Sequence, residues 1–264
     1  MIESREQTTT EPTAHPVAEV GEWRKSRGLR RSVRLFRAFR VEQTDPAYFY
    51  SLLAEDTVGQ LLDYCLLADA SVVDVGGGAG YFGAAVRARG AQYYLIEPDR
   101  GELTSGGEIP RGTIIGDGYW LPLRDGAVDV CFSSNVLEHV PDPGGLIDEM
   151  IRVTRPGGII YVSFTNWLSP WGGHETAPWH YLGGEFAVRR YQRRHGQLPK
   201  NRFRHSLFPV HVGQALRLAR SRHDAEIIDA LPRYYPRVAR VLLHVPVLRE
   251  FATWNLLMVL RRNG

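Results

Sequence analysis

Apolar residues recur along this chain at several spacings, and each spacing predicts a different kind of element. Leu29, Val33, Phe36 and Phe39 fall on one helical face while Arg30, Arg31, Arg34 and Arg37 fall on another, which predicts a basic amphipathic helix within 23–44. Asp45-Pro46 reads as N-cap and first helical residue, and Phe49, Leu52, Leu53, Leu61, Leu62 and Cys65 continue at helical spacing. The pattern then changes. Val72, Val73 and Val75 form a short β-branched run suited to a strand buried on both faces. Similar runs predict strands at Ala91–Ile96, Thr113–Ile115, Val128–Ser133, Ile159–Phe164, Ala225–Leu231 and Ala252–Leu260. Between them, Tyr81–Arg89 predicts a short helix ended by Gly90, and Asp142-Pro143 opens a helix with Leu146, Ile147, Met150 and Ile151 inward. The stretch after Glu97 is rich in glycine and proline and predicts one helical turn at most. The alternation of strands with helices predicts an α/β, doubly wound chain.

Ser71–Asp99 is the centre of this pattern: strand, glycine loop, helix, strand. Gly76, Gly77, Gly78 and Gly80 let the backbone turn sharply and lie against a ligand, which such units bind beyond the strand tips. Gly78–Gly83 spells GxGxxG, so a dinucleotide-dependent NAD(P) oxidoreductase is one reading. Asp74 argues against it. A carboxylate beside the loop repels a pyrophosphate but suits a cationic nucleoside such as S-adenosylmethionine, which carries an ammonium and a sulfonium. Glu97, at the next strand end, can accept ribose hydroxyls of either ligand.

The segment Asp74–Gly80 (DVGGGAG) resembles the first motif of the class I S-adenosylmethionine-dependent methyltransferases. Gly116–Leu123 (GDGYWLPL), Val128–Val140 (VDVCFSSNVLEHV) and Arg152–Gly158 (RVTRPGG) are similar to the type 11, ubiquinone-biosynthesis-like subgroup. The resemblance spans Ser71–Thr165. It implies a seven-stranded Rossmann-like sheet of order 3-2-1-4-5-7-6 with the last strand antiparallel. It also implies a cofactor site formed by Asp74, Gly76, Gly77, Gly78, Gly80, Glu97, Asp117, Gly118 and Asn135. Asp117 would accept the adenine amino group, the next backbone N–H would reach the ring, and Asn135 would end the strand that faces the transferable methyl. Amino-methylating enzymes resemble one another in an Asn/Asp-Pro-Pro-Tyr/Phe loop at this last point. Here the chain reads Asn135-Val136-Leu137-Glu138, which speaks against a nucleobase or glutamine amine as acceptor. A cofactor-binding regulator without turnover is compatible with the same residues.

Acceptor identity is expected in the segment 166–209, where Trp167, Trp171, Trp179 and Tyr181 alternate with glycine pairs in the manner of a small-molecule pocket. His174 is the first general-base candidate, oriented by Glu175 or Glu185, and His139 the second. His174, Glu175 and His180 do not have zinc-ligand spacing, so no metal is expected. These features point to O-methylation of a small molecule, sugar or lipid-linked acceptor.

At 264 residues the chain can bury a full core, and a single domain is expected over 23–264 after a polar, disordered tail over 1–22. The net charge of +3 gives no global nucleic-acid signal. The arginines are nevertheless concentrated, in the 23–44 helix and in a stretch from Phe186 to His223 without an acidic residue. They fit a solvated face, or peripheral contact with an anionic membrane better than RNA; Val238, Val241, Leu242 and Val245 add an interfacial apolar face. Two cysteines, no apolar leader and no run long enough to span a bilayer lead to the expectation of a cytoplasmic protein, with any membrane contact peripheral to the inner face. Oligomeric state is not written in the sequence.

Overall fold

The computed structural model describes residues 28–41 and 44–264. The predicted tail over 1–22, and the first residues of the predicted basic helix, lie outside the described residues.

Seven strands form one sheet in the order β3-β2-β1-β4-β5-β7-β6. They are β1 (Ser71–Val75), β2 (Gln92–Ile96), β3 (Thr113–Ile114), β4 (Val128–Ser134), β5 (Thr154–Thr165), β6 (Ala225–Pro232) and β7 (Asn255–Arg262). All neighbours pair in parallel except β7, which is antiparallel to both β5 and β6. The fold is the doubly wound Rossmann-like arrangement that the motifs imply. The strand order reverses between β1 and β4, so their carboxyl ends open the crevice in which such sheets bind ligands.

Alternation along each strand divides the core into two layers. Val73 and Val75 face the layer shared with α5 (Pro143–Val153) and α7 (Val212–Arg220). Val72 faces the opposite layer, with α1 (Leu29–Phe39), α2 (Pro46–Leu61) and α3 (Phe82–Arg87). That period of two also fixes Asp74 on the α3 side. The predicted caps are in place: Asp45 accepts the Tyr48 N–H at 3.1 Å and Asp142 the Gly144 N–H at 3.0 Å, each just before a proline at the first helical turn. The glycine-rich stretch after Glu97 makes one short helix, α4 (Arg100–Thr104). Two predicted boundaries move. β5 begins at Thr154, with Thr154 already paired to Val128 ahead of a register irregularity. β7 begins at Asn255, because Pro246 starts a helix, α8 (Pro246–Ala252), that takes up Ala252.

The basic helix sits with a different face inward from the one its apolar spacing predicts. Leu35 and Ala38 are buried, whereas Leu29, Val33 and Phe36 are exposed. The reason is Arg31. Its guanidinium grips Asp56 of α2 through two contacts of 2.5 Å, and one of its nitrogens also donates to the Arg233 carbonyl at 3.0 Å. Both partners of this ion pair are almost entirely out of water, so the helix turns Arg31 inward; of the predicted apolar face only Phe39 is half-buried, packed against Phe49 and Trp171. Arg233 itself is fully buried and donates to Ser134 Oγ (2.8 Å), Ser163 Oγ (2.7 Å) and Thr57 Oγ1 (2.7 Å), fastening α2 to the ends of β4 and β5.

Removing one member of a buried ion pair leaves the other charge uncompensated, at a cost of about 3–5 kcal/mol. Asp56→Ala is therefore expected to lower the free energy of unfolding by about that amount, shifting the urea midpoint down with the denaturant slope unchanged, measured by circular dichroism.

Candidate active site

The crevice is built from the glycine loop after β1. Gly76, Gly78 and Gly80 have φ of 73°, 53° and 70°, the left-handed region that side chains resist. Gly77 has another constraint: a Cβ there would overlap Asp74 Oδ2 and Leu95 Cδ1. A Cβ on Gly76 would come within 2.7 Å of Val136, directly after β4, so the loop is seated between two strand ends. Gly78 alone of these four faces open space, with no atom within 4 Å of where its Cβ would lie. The loop presents backbone, and only backbone, to whatever occupies the crevice.

Two carboxylates hold it there, in different ways. Glu97, at the end of β2, accepts the Gly78 N–H with Oε2 and the Asp99 N–H with Oε1, each at 3.0 Å. Burial raises its pKa, and the two N–H groups partly offset this by stabilising the anion. Each oxygen keeps a further lone pair for ribose hydroxyls.

Asp74 lies beneath the loop rather than at its open flank. It is wholly buried, turned beneath Gly77, and its Oδ2 accepts the Tyr93 hydroxyl at 2.6 Å. Desolvation raises its pKa to about 7, against the lowering effect of the Tyr93 hydrogen bond, so near neutrality it is substantially protonated. Its place follows from alternation: Val73 and Val75 take one face of β1, and residue 74 must take the other. Tyr93, which completes this support, was not singled out in the sequence; its only signal was an inward position in β2.

The other predicted cofactor positions lie around the same edge. Asp117 is exposed and its Oδ1 accepts the Tyr119 N–H at 2.9 Å, shaping the turn after β3. Gly118 packs against α5 and β1, where a Cβ would come within 2.8 Å of Leu146 and 3.3 Å of Val75. Asn135 has φ 59° and spends its carboxamide oxygen on the Asn255 amide at 2.8 Å, tying the end of β4 to the start of β7.

Beyond β4 the chain places three groups together that the sequence separates. One ligand-bearing atom each from Glu138, His139 and His174 lies within 4.8 Å of the others. The 166–209 segment brings His174 here, over the two strand ends, and the segment is tied to the cofactor side by a 2.6 Å ion pair between Lys200 and Glu102 of α4. His174 sits at φ 47°, a rare backbone state for a non-glycine residue. Burial lowers its pKa to about 4, although Glu138 pulls the other way. The expected orienters of His174 are elsewhere: Glu175 is exposed and accepts from the Asn201 amide at 3.0 Å, and Glu185 is exposed on α6 (Gly184–His195). The carboxylate beside His174 is Glu138, whose contact no spacing in the sequence reveals. His180 is held apart, with Nε2 3.2 Å from the Ser169 carbonyl oxygen.

Comparison with known proteins bears directly on this site. A family model described as a methyltransferase domain matches residues 73–162. Relatives from Mycobacterium sp. (strain KMS) and Mycolicibacterium gilvum, each bearing the name uncharacterized methyltransferase, are 48% identical to this chain over 241 and 245 residues, covering 88% of it and 95% and 94% of themselves. The chain belongs to the class I S-adenosylmethionine-dependent methyltransferases. A solved S-adenosylmethionine-dependent methyltransferase from Mesorhizobium loti shares the methyltransferase fold, with a TM-score of 0.53 at 20% identity, covering 79% of this chain and 98% of that one. One from Aquifex aeolicus does so with a TM-score of 0.51 at 12% identity over 85% and 98%. The cofactor is S-adenosylmethionine, and the dinucleotide reading of GxGxxG falls. The residues present fit this methyltransferase's cofactor: a glycine-rich loop with open space at Gly78, and a carboxylate with free lone pairs at Glu97.

The two carboxylates should respond differently to substitution. Glu97→Ala removes both loop clamps and is expected to weaken S-adenosylmethionine binding by roughly tenfold or more, about 1.4 kcal/mol, in calorimetry. Asp74→Asn keeps an acceptor for Tyr93 and should leave that affinity nearly unchanged. It should instead alter the pH dependence of stability. With a folded pKa of about 7 against 3.8 unfolded, the native state holds the extra proton between those values, so Asp74 makes stability fall as pH rises through that window. Asp74→Asn should abolish this term and gain on the wild type, by on the order of a few kcal/mol at most, between pH 5 and 8 in urea titrations without cofactor.

Proposed function

We propose that this methyltransferase transfers the methyl group to a hydroxyl oxygen of a small-molecule, sugar or lipid-linked acceptor. The observation that carries this reading is the cluster of Glu138, His139 and His174 beyond β4. His139 Nδ1 lies 2.7 Å from the Ser206 carbonyl oxygen, which can only accept, so Nδ1 carries the proton and Nε2 keeps a lone pair. Imidazole and carboxylate groups at this place can receive a hydrogen-bond donor such as an acceptor O–H. Bound S-adenosylmethionine supplies a methyl group on a sulfonium, which leaves as a neutral thioether. The chain's own contribution is placement: the glycine loop and Glu97 hold one reactant, and the His139–His174 wall holds the other, with proximity supplying much of the rate. Trp171 packs edge-on against Phe39 at 5.4 Å and against Trp254 at 4.6 Å.

A lipid-linked acceptor is favoured by the surface beside that cluster. Phe36 touches Trp171 and Trp254, and the same helix leaves Leu29 and Val33 outward among Arg30, Arg34 and Arg37. The turn at Arg237–His244 and α8 expose Val238 (77%), Val241, Val245, Val247 (72%) and Phe251. An apolar stripe with arginines at its edge has the chemistry of peripheral contact with an anionic membrane. No helix among the described residues is long and apolar enough to cross one.

The test is isotopic. Polar and lipid extracts of cells are incubated with the enzyme and methyl-labelled S-adenosylmethionine, and the labelled product is identified by mass spectrometry. A methyl ether in either fraction is the expected outcome; label on nitrogen or carbon would overturn the O-methyl assignment.

A further inference from the structure

Glu138, His139 and His174 have a second property: all three offer unused lone pairs to the same point. Glu138 is buried to 1% exposure; Oε1 accepts the Thr165 N–H at 2.8 Å, but Oε2 has no partner at all. His174 Nε2 is likewise buried and unpartnered. His139 is locked by the Ser206 carbonyl so that Nε2, its free nitrogen, bears a lone pair. Buried polar atoms are ordinarily satisfied, and two unpartnered ones stand in this one cluster beside a third ligand-type residue. With the His174 proton on Nδ1, lone pairs of all three residues are left for a cation to satisfy.

We propose that Glu138, His139 and His174 form a binding site for one divalent first-row transition cation, with the remaining coordination positions open toward the acceptor. Two imidazoles and one carboxylate make the donor set that suits Zn²⁺ and its neighbours rather than Mg²⁺ or Ca²⁺, which take oxygen ligands. Three protein ligands with an open position are the arrangement of sites that act on substrate rather than merely brace a fold. The supporting contacts are of the kind such ligands require: the Ser206 carbonyl orients His139, and the Thr165 N–H orients Glu138. The 4.8 Å within which the ligand atoms now lie is wider than the ~3–4 Å separation of ligands bound at about 2 Å, so binding requires the three side chains to draw together. His174, Glu175 and His180, the set adjacent in sequence, do not converge; the second histidine and the carboxylate come from the turn after β4 instead.

The role of the cation rests on the O-methyl reading above. An acceptor oxygen taking an open coordination position is fixed beside the cofactor, and its O–H is acidified, the proton passing to solvent.

The test uses the full-length protein, freed of metal by a chelator and titrated with Co²⁺ as a spectroscopic probe, with Zn²⁺ competition. One equivalent of Co²⁺ giving visible d–d absorption, displaced by Zn²⁺, is expected. His174→Ala and Glu138→Gln should each weaken Co²⁺ binding at least roughly tenfold while calorimetric S-adenosylmethionine affinity and the circular dichroism spectrum are retained. Glu138→Gln keeps the acceptor for Thr165, so it serves if His174→Ala disturbs the fold. Absence of saturable one-to-one binding, or Co²⁺ affinity in both variants equal to that of the wild type, would overturn the site. The two readings fail separately: an O-methylated product without metal binding sinks the site alone, and stoichiometric metal with label on nitrogen sinks the O-methyl reading alone.

Discussion

The support of one glycine loop by two buried carboxylates is the constraint on which the site depends. Asp74 lies under Gly77 and is held by Tyr93; Glu97 lies beside Gly78 and accepts its N–H. Neither contact stores much energy by itself. Together they fix a left-handed backbone whose only open flank is Gly78, so the loop cannot relax into a form that presents a side chain to the crevice. A loop that must meet a ligand through bare backbone needs its stiffness from below, and here it comes from strands β1 and β2.

The sheet decides which side each group faces. Because β1 alternates, Val73 and Val75 enter one core layer and Asp74 the other, and burial then makes the acid a half-protonated brace rather than an ion. The same logic operates at α1. Its apolar spacing calls for Leu29, Val33 and Phe36 inside, but Arg31 finds Asp56 and turns the helix about its axis. One nearly dry, bidentate ion pair lies inward, and the displaced stripe becomes surface beside the Trp171–Trp254 cluster. Arg233, buried beneath, shows the cost of such a choice: a full charge satisfied largely by hydroxyls at the ends of β4, β5 and α2.

The acceptor side is assembled across sequence rather than within it. Glu138 and His139 belong to a turn after β4, His174 to a segment after β5, and the Ser206 carbonyl to the return of that segment. Nothing local dictates their meeting. It follows from β4 and β5 being neighbours, which puts everything that leaves their carboxyl ends into one volume.

The strands, the glycine loop and both N-caps were legible in short-range patterning, as β-branched runs, clustered glycines and Asp-Pro pairs, whereas strand order and cofactor class came from the resemblance of the Asp74–Gly80 and downstream motifs to a known family. The direction of Asp74, the inward face of α1, the role of Tyr93 and the partner of His174 were not legible. Each depends on which of several possible neighbours a side chain finds once strands are paired, and a polar group out of water takes the partner that satisfies it, wherever in the chain that partner lies. Local spacing fixed the elements; burial in three dimensions chose between their faces.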